Sequence, residues 1–102
     1  MKKSLYVIIR DDLETIAHKA VQAGHAVAQF VLDFPQDDWN NNYLIYVVVE
    51  NEEKLKFWRM KVQDQSMNFS SFSEPDLGNE MTALACYSNN DKIFSKLKLL
   101  KS

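Results

Sequence analysis

Two stretches of the chain are apolar almost without interruption. Leu5 to Arg10 (LYVIIR) and Tyr43 to Val49 (YLIYVVV) are rich in β-branched residues and predict strands covered on both faces. Between them, Thr15 can cap a helix that opens on Ile16, Ala17 and His18. That helix should run to about Asp33 and stop before Pro35, because a residue preceding proline avoids the α region. It is dense in Ala and Val, and Gly24 sits near its middle, where glycine costs about 1 kcal/mol relative to alanine. A close approach of the helix to the sheet at Gly24 would explain that cost. Pro35 to Asn42 reads as a polar loop around Trp39.

After the second strand, Asn51 caps a second helix, with Glu52 and Glu53 at its positive end and Leu55, Trp58 and Val62 as its core stripe. Met67 to Ser73 is a weaker strand, Glu74 to Glu80 (EPDLGNE) a loop, and Met81 to Tyr87 a fourth strand. Asn89 or Asn90 then caps a last helix with Ile93, Phe94, Leu97 and Leu100 facing inward. The order β-α-β-α-β-β-α predicts one α/β domain over residues 1–102. Two right-handed crossovers imply a mixed four-stranded sheet packed by helices.

Composition narrows the class without naming a function. A chain of 102 residues with 46% hydrophobic residues can bury roughly two-thirds of its unfolded surface, so no metal or disulfide staple is required. The single cysteine, Cys86, rules out an intrachain disulfide and fits a reducing, cytoplasmic compartment. Cys86 lies in an apolar strand, where an inert thiol is expected. No apolar run approaches the roughly 20 residues of a membrane span. The formal net charge of −2 argues against nucleic-acid binding by overall charge. A local basic face is still open, since Lys2, Lys3, Arg10 and Lys19 lie near one chain end and Lys92, Lys96, Lys98 and Lys101 near the other.

Candidate chemistry concentrates in two places. His18, Gln22, His25 and Gln29 fall at i, i+4, i+7 and i+11, along one side of the first helix. Such a stripe on an Ala/Val-rich helix can hydrogen-bond neighbouring loops, or it can serve a site. The two histidines lack zinc-ligand spacing and a cysteine partner, so no metal is implied. The loop Glu74-Pro75-Asp76-Leu77-Gly78-Asn79-Glu80 carries three carboxylates able to orient a water or act as a base, although an ordinary turn selects the same residue types. With two glycines in the chain, no phosphate-cradling loop can be built and no nucleotide cofactor is implied.

The strand Leu5 to Arg10, the following Asp12-Leu13 and then Ala20-Val21-Gln22-Ala23-Gly24-His25-Ala26 resemble the type-2 peptidyl-tRNA hydrolases. In that family a strand ending in Arg leads through Asp-Leu to a helix reading Lys-x-Ala-Ala-Gln-x-x-His-Ala. Phe72 to Ala85 (FSEPDLGNEMTALA) is similar to a side-branch of the family with a shortened loop, and the resemblance spans the whole chain. It implies hydrolysis of the ester joining a peptide to the tRNA 3′ ribose, with tRNA or peptidyl-tRNA as partner, and neither DNA nor membrane. The matching positions make His18, Gln22 and Glu74 the candidate catalytic residues. Arg10, Lys19, His25, Asp76 and Asn79 become candidate substrate contacts.

The sequence departs from the family pattern in specific places. His18 stands where the family has its catalytic lysine, and Ile16 where it has a neighbouring lysine. Glu74 matches the aspartate of the longer family loop, and the threonine of that loop finds no secure match. An active hydrolase, a non-catalytic RNA- or partner-binding module and a small-ligand regulatory domain all stay open at this point, as does a homodimer.

Overall fold

In the computed structural model, which describes residues 3–35, 39 and 41–101, the N-terminal apolar run forms β1 (Ser4–Arg10). It lies inside the sheet, parallel to β2 (Leu44–Val49) on one side and antiparallel to β4 (Glu80–Ser88) on the other. β3 (Asn68–Glu74) pairs antiparallel with β4, and a two-residue β5 (Lys98–Leu99) pairs antiparallel with β2. The order across the sheet is β3-β4-β1-β2-β5. With neighbours on both edges and helices on both faces, Leu5 to Arg10 are all buried, as a continuous apolar run requires.

Right-handed crossovers dictate where the helices go. The connection from β1 through α1 (Ile16–Asp33) moves one place along the sheet to β2. The connection from β2 through α2 (Glu52–Asp64) moves the opposite way, past β1 and β4, to β3. Opposite directions at constant handedness put the helices on opposite faces. Strand alternation matches: Leu5, Val7, Ile9 and Ala85 pack with Ala23, Ala26 and Phe30 of α1. Tyr6, Ile8, Leu84 and Cys86 pack with Leu55, Trp58 and Val62 of α2 and Phe94 of α3 (Asp91–Phe94). The Tyr6 hydroxyl donates to Asp91, tying α3 to the central strand.

Two of the three caps read from the sequence are formed, while Asn90, at the N-cap of α3, makes no side-chain capping hydrogen bond. The His18 N–H donates to Thr15 Oγ1 at 3.0 Å, and the Lys54 N–H donates to Asn51 Oδ1 at 3.0 Å. α1 ends at Asp33, ahead of Pro35. Burial of Cys86 pushes its thiol up to about 12, so it stays protonated.

Three expectations need correction. Among the described residues the sheet has five strands rather than four. The helix expected after Asn90 lasts four residues, because Leu97 and Leu100 pack on opposite sides of the sheet, which a helix stripe cannot do. Lys98 and Leu99 instead extend along the edge of β2, and the Leu100 N–H donates to the Tyr46 carbonyl at 3.1 Å. Gly24 does not approach the sheet; it faces solvent, with no atom within 4 Å of where a Cβ would stand. In the loop after α1, Trp39 Nε1 donates to the Tyr43 carbonyl at 3.0 Å, while residues 36–38 and 40 lie outside the described residues, as does Lys2.

Candidate functional site

The Thr15 cap sets the phase of α1, so that Gln22 enters the sheet side of the helix over β3 and β4. It is fully buried. A buried amide needs partners for both its donors and its acceptor, and a β-bulge supplies one of them. Phe72 pairs with Ala83, but Ser73 pairs with Met81, so β4 carries one extra residue, Thr82. The bulge interrupts strand alternation and puts Thr82 on the α1 side together with Ala83. Thr82 Oγ1 donates to Gln22 Oε1 at 2.6 Å, with the Phe72 carbonyl farther off at 3.4 Å. On its other side Gln22 Nε2 donates to Glu74 Oε1 at 2.8 Å. An ionised carboxylate only accepts, so the amide nitrogen must face Glu74 and the amide oxygen Thr82.

Glu74 ends β3, opposite Glu80 at the start of β4. Its second oxygen takes a long hydrogen bond, 3.5 Å, from the Asp76 N–H across the 3-10 turn Pro75–Leu77. The hydrogen bond from Gln22 holds the Glu74 carboxyl below its usual range against some desolvation, helped by the Asp76 N–H and by the charges of His25 and then His18. At neutral pH it is an anion. Gln22 and Asp76 use two of its roughly four lone-pair sites, and the rest can hold a water. His18 is half-buried one turn before Gln22, and His25 stacks on Phe72 with ring centroids 4.4 Å apart and 16° between planes. The stripe continues through Gln29, which donates to Asp33 Oδ1, while the Ser70 hydroxyl donates to Asp33 Oδ2 at 2.6 Å.

The other candidates separate. Arg10 is buried and engaged: Nε and Nη2 form a fork on Asp12 at 2.9 and 3.0 Å, and Nη1 donates to Glu80 at 2.7 Å and to the Met81 carbonyl at 3.3 Å. The Asp12 bonds hold its guanidinium charged, and the same bonds depress the Asp12 carboxyl. Arg10 thus clamps the end of β1 to the start of β4. The three loop carboxylates divide accordingly, with Glu74 on Gln22, Glu80 on Arg10 and Asp76 exposed in the turn. Asn79 is exposed in left-handed backbone at φ 64°, next to Gly78 at the same φ, and its N–H donates to the Glu74 carbonyl at 2.9 Å. Asp76 and Asn79 both serve the turn through their backbone N–H groups. Lys19 donates to Asp11 Oδ1 at 2.8 Å.

A second feature lies at the same end of the sheet. Adjacent parallel strands whose connections leave toward opposite faces create a crevice at their carboxyl ends, the usual ligand position in open α/β sheets. Here β1 and β2 meet that condition. A cavity of about 270 Å³ opens there, with Val49, Trp58 and Leu97 beside Lys54, Lys96 and Lys98. An adjoining one of about 280 Å³ shares Asp11 and Lys98 and reaches Lys101. Lys19 neutralises Asp11, so Glu50 is the one uncompensated acid among the residues lining the two cavities. The lysines of the two chain ends therefore meet in part. Lys3, over the Tyr87 ring at 5.2 Å, and Lys92, beside Asn89, lie at the opposite end of the sheet.

No protein-family model and no curated protein matches this sequence. Among solved structures, the chain is similar to a protein of unknown function, Atu0240 from Agrobacterium tumefaciens strain C58, at 17% identity and a TM-score of 0.71, over 99% of each chain. The likeness is one of fold. It shows that the arrangement of strands and helices recurs across the full length of another chain, and it carries no activity with it.

Sequence reading missed Thr82, Asp12 and the lysine-lined crevice. Thr82 had a signal, being the lone aliphatic hydroxyl within the apolar run Met81 to Tyr87. Asp12 was visible as part of the family-like Asp12-Leu13 step but not as the partner of Arg10, and the crevice depends on topology. Among the described residues, no group of three or more His, Cys, Asp or Glu side chains is arranged to hold a metal, and no helix is long and apolar enough to cross a membrane.

Proposed function

We propose that this domain acts on the 3′ ester of peptidyl-tRNA, as a hydrolase of the type-2 peptidyl-tRNA hydrolase kind. The observation that carries the reading is the buried Gln22, held between the Thr82 hydroxyl and the ionised Glu74. A fixed amide beside an anionic carboxylate is suited to orienting a water for attack on an ester carbonyl. In this reading Glu74 holds the water through its free lone pairs, Gln22 keeps the carboxylate in place, and His18 meets the developing charge or the leaving ribose oxygen. The Lys54, Lys96, Lys98 and Lys101 crevice supplies the basic surface that an acidic chain otherwise lacks, and suits the phosphodiester backbone of tRNA.

A second reading, a non-catalytic RNA-binding module, is favoured by Arg10, whose donors are committed to Asp12, Glu80 and Met81, and by His18 in the place of a lysine. Turnover of peptidyl-tRNA by purified protein separates the two. Hydrolysis should appear, should vanish in Glu74→Gln, and should be accompanied by tRNA binding that weakens steeply between 50 and 200 mM salt, as counterion release requires (roughly tenfold or more for several phosphate contacts). Salt-dependent binding with no turnover supports the second reading. Neither turnover nor binding at low salt removes both.

A further inference from the structure

We infer, resting on the hydrolase reading above, that the free edge of β3 binds the peptide half of peptidyl-tRNA. The peptide adds to β3 as a parallel strand, with its ester carbonyl at Glu74.

The two edges of the sheet are finished differently. β5 is two residues long and is crowded by Lys96, Lys98 and Lys101, and short, lysine-rich edges resist pairing. β3 is seven residues long, and from Met67 to Ser73 it has neither a charge nor a proline. Which of its backbone groups face outward follows from the ladder. The Leu5 N–H donates to the Tyr43 carbonyl at 2.9 Å, so Leu5, Val7 and Ile9 face β2, while Tyr6 and Ile8 face β4. Hydrogen-bonded and non-hydrogen-bonded pairs alternate across an antiparallel ladder. Cys86 and Leu84, opposite Tyr6 and Ile8, thus face β1, and Ala85 and Ala83 face β3. Their partners Ser70 and Phe72 face β4, which turns the N–H and C=O groups of Phe69, Ser71 and Ser73 away from the sheet. The Asn79 N–H on the Glu74 carbonyl, inside the hairpin, keeps this phase to the end of the strand. Among the described residues, no main-chain group outside the strand bonds to those three.

Position and direction identify the occupant. β3 runs into Glu74, the carboxylate that holds the attacking water in the hydrolase reading. It is parallel to β1, since each is antiparallel to β4, so Glu74 lies at the same end of the sheet as the lysine crevice. Peptidyl-tRNA has RNA on one side of its ester and peptide on the other. With phosphodiesters on the crevice lysines and the ester at Glu74, the peptide leaves toward Asn68, down the edge of β3. Its C-terminus is at the ester, so it runs with β3 rather than against it. Peptides of different sequence share only their backbone, and edge pairing recognises backbone. With the ester residue opposite Glu74, a parallel register sets the N–H groups of the third and fifth residues, counted back from the ester, on the Ser71 and Phe69 carbonyls. Those of the second and fourth point to solvent. Such pairing is weak alone, and tethering through the RNA raises the effective concentration of the strand.

N-methylation of single residues in a hexapeptidyl-tRNA series tests the edge with unmodified protein. kcat/KM should fall about fivefold for methylation at the third or fifth residue, the loss of one hydrogen bond, and stay within about twofold at the second or fourth. Ser71→Pro removes an outward N–H and no ladder bond, a change that edge strands tolerate. It should lower kcat/KM on hexapeptidyl-tRNA by a similar factor, with the circular dichroism of wild type. Binding is read separately by amide exchange, using tRNA that carries the hexapeptide on a non-hydrolysable 3′-amide. It should slow exchange of the Ser71 and Ser73 N–H groups. Turnover with no two-residue period, and with both amides exchanging freely, overturns the edge and leaves the hydrolase reading standing. Protection of both amides without turnover keeps the edge and removes the hydrolase reading. Neither turnover nor protection removes both. A Ser71 N–H already protected in the free protein, through a β3-paired dimer seen by sedimentation, would also overturn the proposal.

Discussion

On one face of the sheet, α2 turns Leu55, Trp58 and Val62 inward and leaves Glu53, Lys54, Lys56 and Asp64 in water, with Phe57 and Met60 the apolar exceptions. On the other face, α1 buries Gln22 beside Ala23, Ala26 and Phe30 and leaves Val21, Val31 and Leu32 in water. Both helices are capped, and both cover the same strands. The difference lies in what each does beyond covering them. α2 follows the ordinary rule for a helix that stabilises a sheet. α1 breaks that rule on both sides, and each breach has its own physical account: a polar network inside and an unpartnered apolar surface outside.

The largest effect should fall on the buried stripe of α2, and within it on Leu55, to which the comparison assigns stability alone. Leu55→Ala removes a fully buried side chain and should destabilise the fold by about 3 kcal/mol. That is more than about 10 °C in Tm for a domain of this size. Measured below that transition, tRNA binding per folded molecule should not change. A loss of binding in well-folded Leu55→Ala would give the buried stripe a part in the functional surface beyond the Lys54 that lines the crevice, and undo the contrast.

The interior of α1 should respond less strongly and in a telling order. Gln22→Leu leaves the Thr82 hydroxyl buried without its short acceptor, at about 1–2 kcal/mol by denaturant unfolding. The Glu74 carboxyl should then move up toward its ordinary value, measurable by carboxyl NMR titration, because its main depressing hydrogen bond is gone. Adding Thr82→Val removes the orphaned hydroxyl and should restore most of the stability. Turnover should stay abolished in the double variant. Recovery of both would make the network a packing device.

Acid tests the clamp at the sheet's carboxyl edge. Asp12 and Glu74 are both depressed relative to ordinary values of 3.8 and 4.5, so the stability each contributes is complete above those values and is lost as pH falls through the lower native ones. Arg10→Met should cost roughly 1 kcal/mol at pH 7, a modest figure because Asp12 and Glu80 are partly hydrated. It should also flatten the Asp12 part of the acid limb. An acid limb unchanged in Arg10→Met would detach Asp12 from the clamp.

The smallest effect on the fold belongs to His18→Lys, within about 0.5 kcal/mol for a half-hydrated position. On turnover it should act upward, by about tenfold, if an ammonium near Glu74 and Gln22 stabilises developing charge better than an imidazole does. A lower rate would make histidine the working residue.

Legibility in the sequence followed locality. Thr15 and Asn51 are caps whose partners lie three residues on, and both could be read directly. β1 and β2 were legible because a strand buried on two faces leaves a continuous apolar run. The stripe from His18 to Gln29 was visible, but not its partners, since Glu74, Thr82 and Phe72 are distant in sequence and the bulge that turns Thr82 inward has no local mark. β5 was hidden because Leu97 and Leu100 fit a helical period as well as they fit two sides of a sheet edge. Gly24 was misread for a related reason. A glycine in a helix suggests something close by, yet no atom lies within 4 Å of where its Cβ would stand.

The pairing of β1 has a consequence for how this chain is made. Ser4 lies opposite Ser88 and Ile9 opposite Ala83, so the first strand of this domain to be translated is completed on one side by the later strand β4. Until β4 emerges, β1 and β2 present an open hydrogen-bonding edge, with Leu5, Val7 and Ile9 shielded by α1 at most. Non-local pairing of this kind slows folding relative to helical domains, and the delay exposes an adhesive edge to other nascent chains. A nascent chain stalled before Glu80 should therefore be protease-sensitive and held by chaperones. One released beyond Leu100 should fold in a single cooperative step.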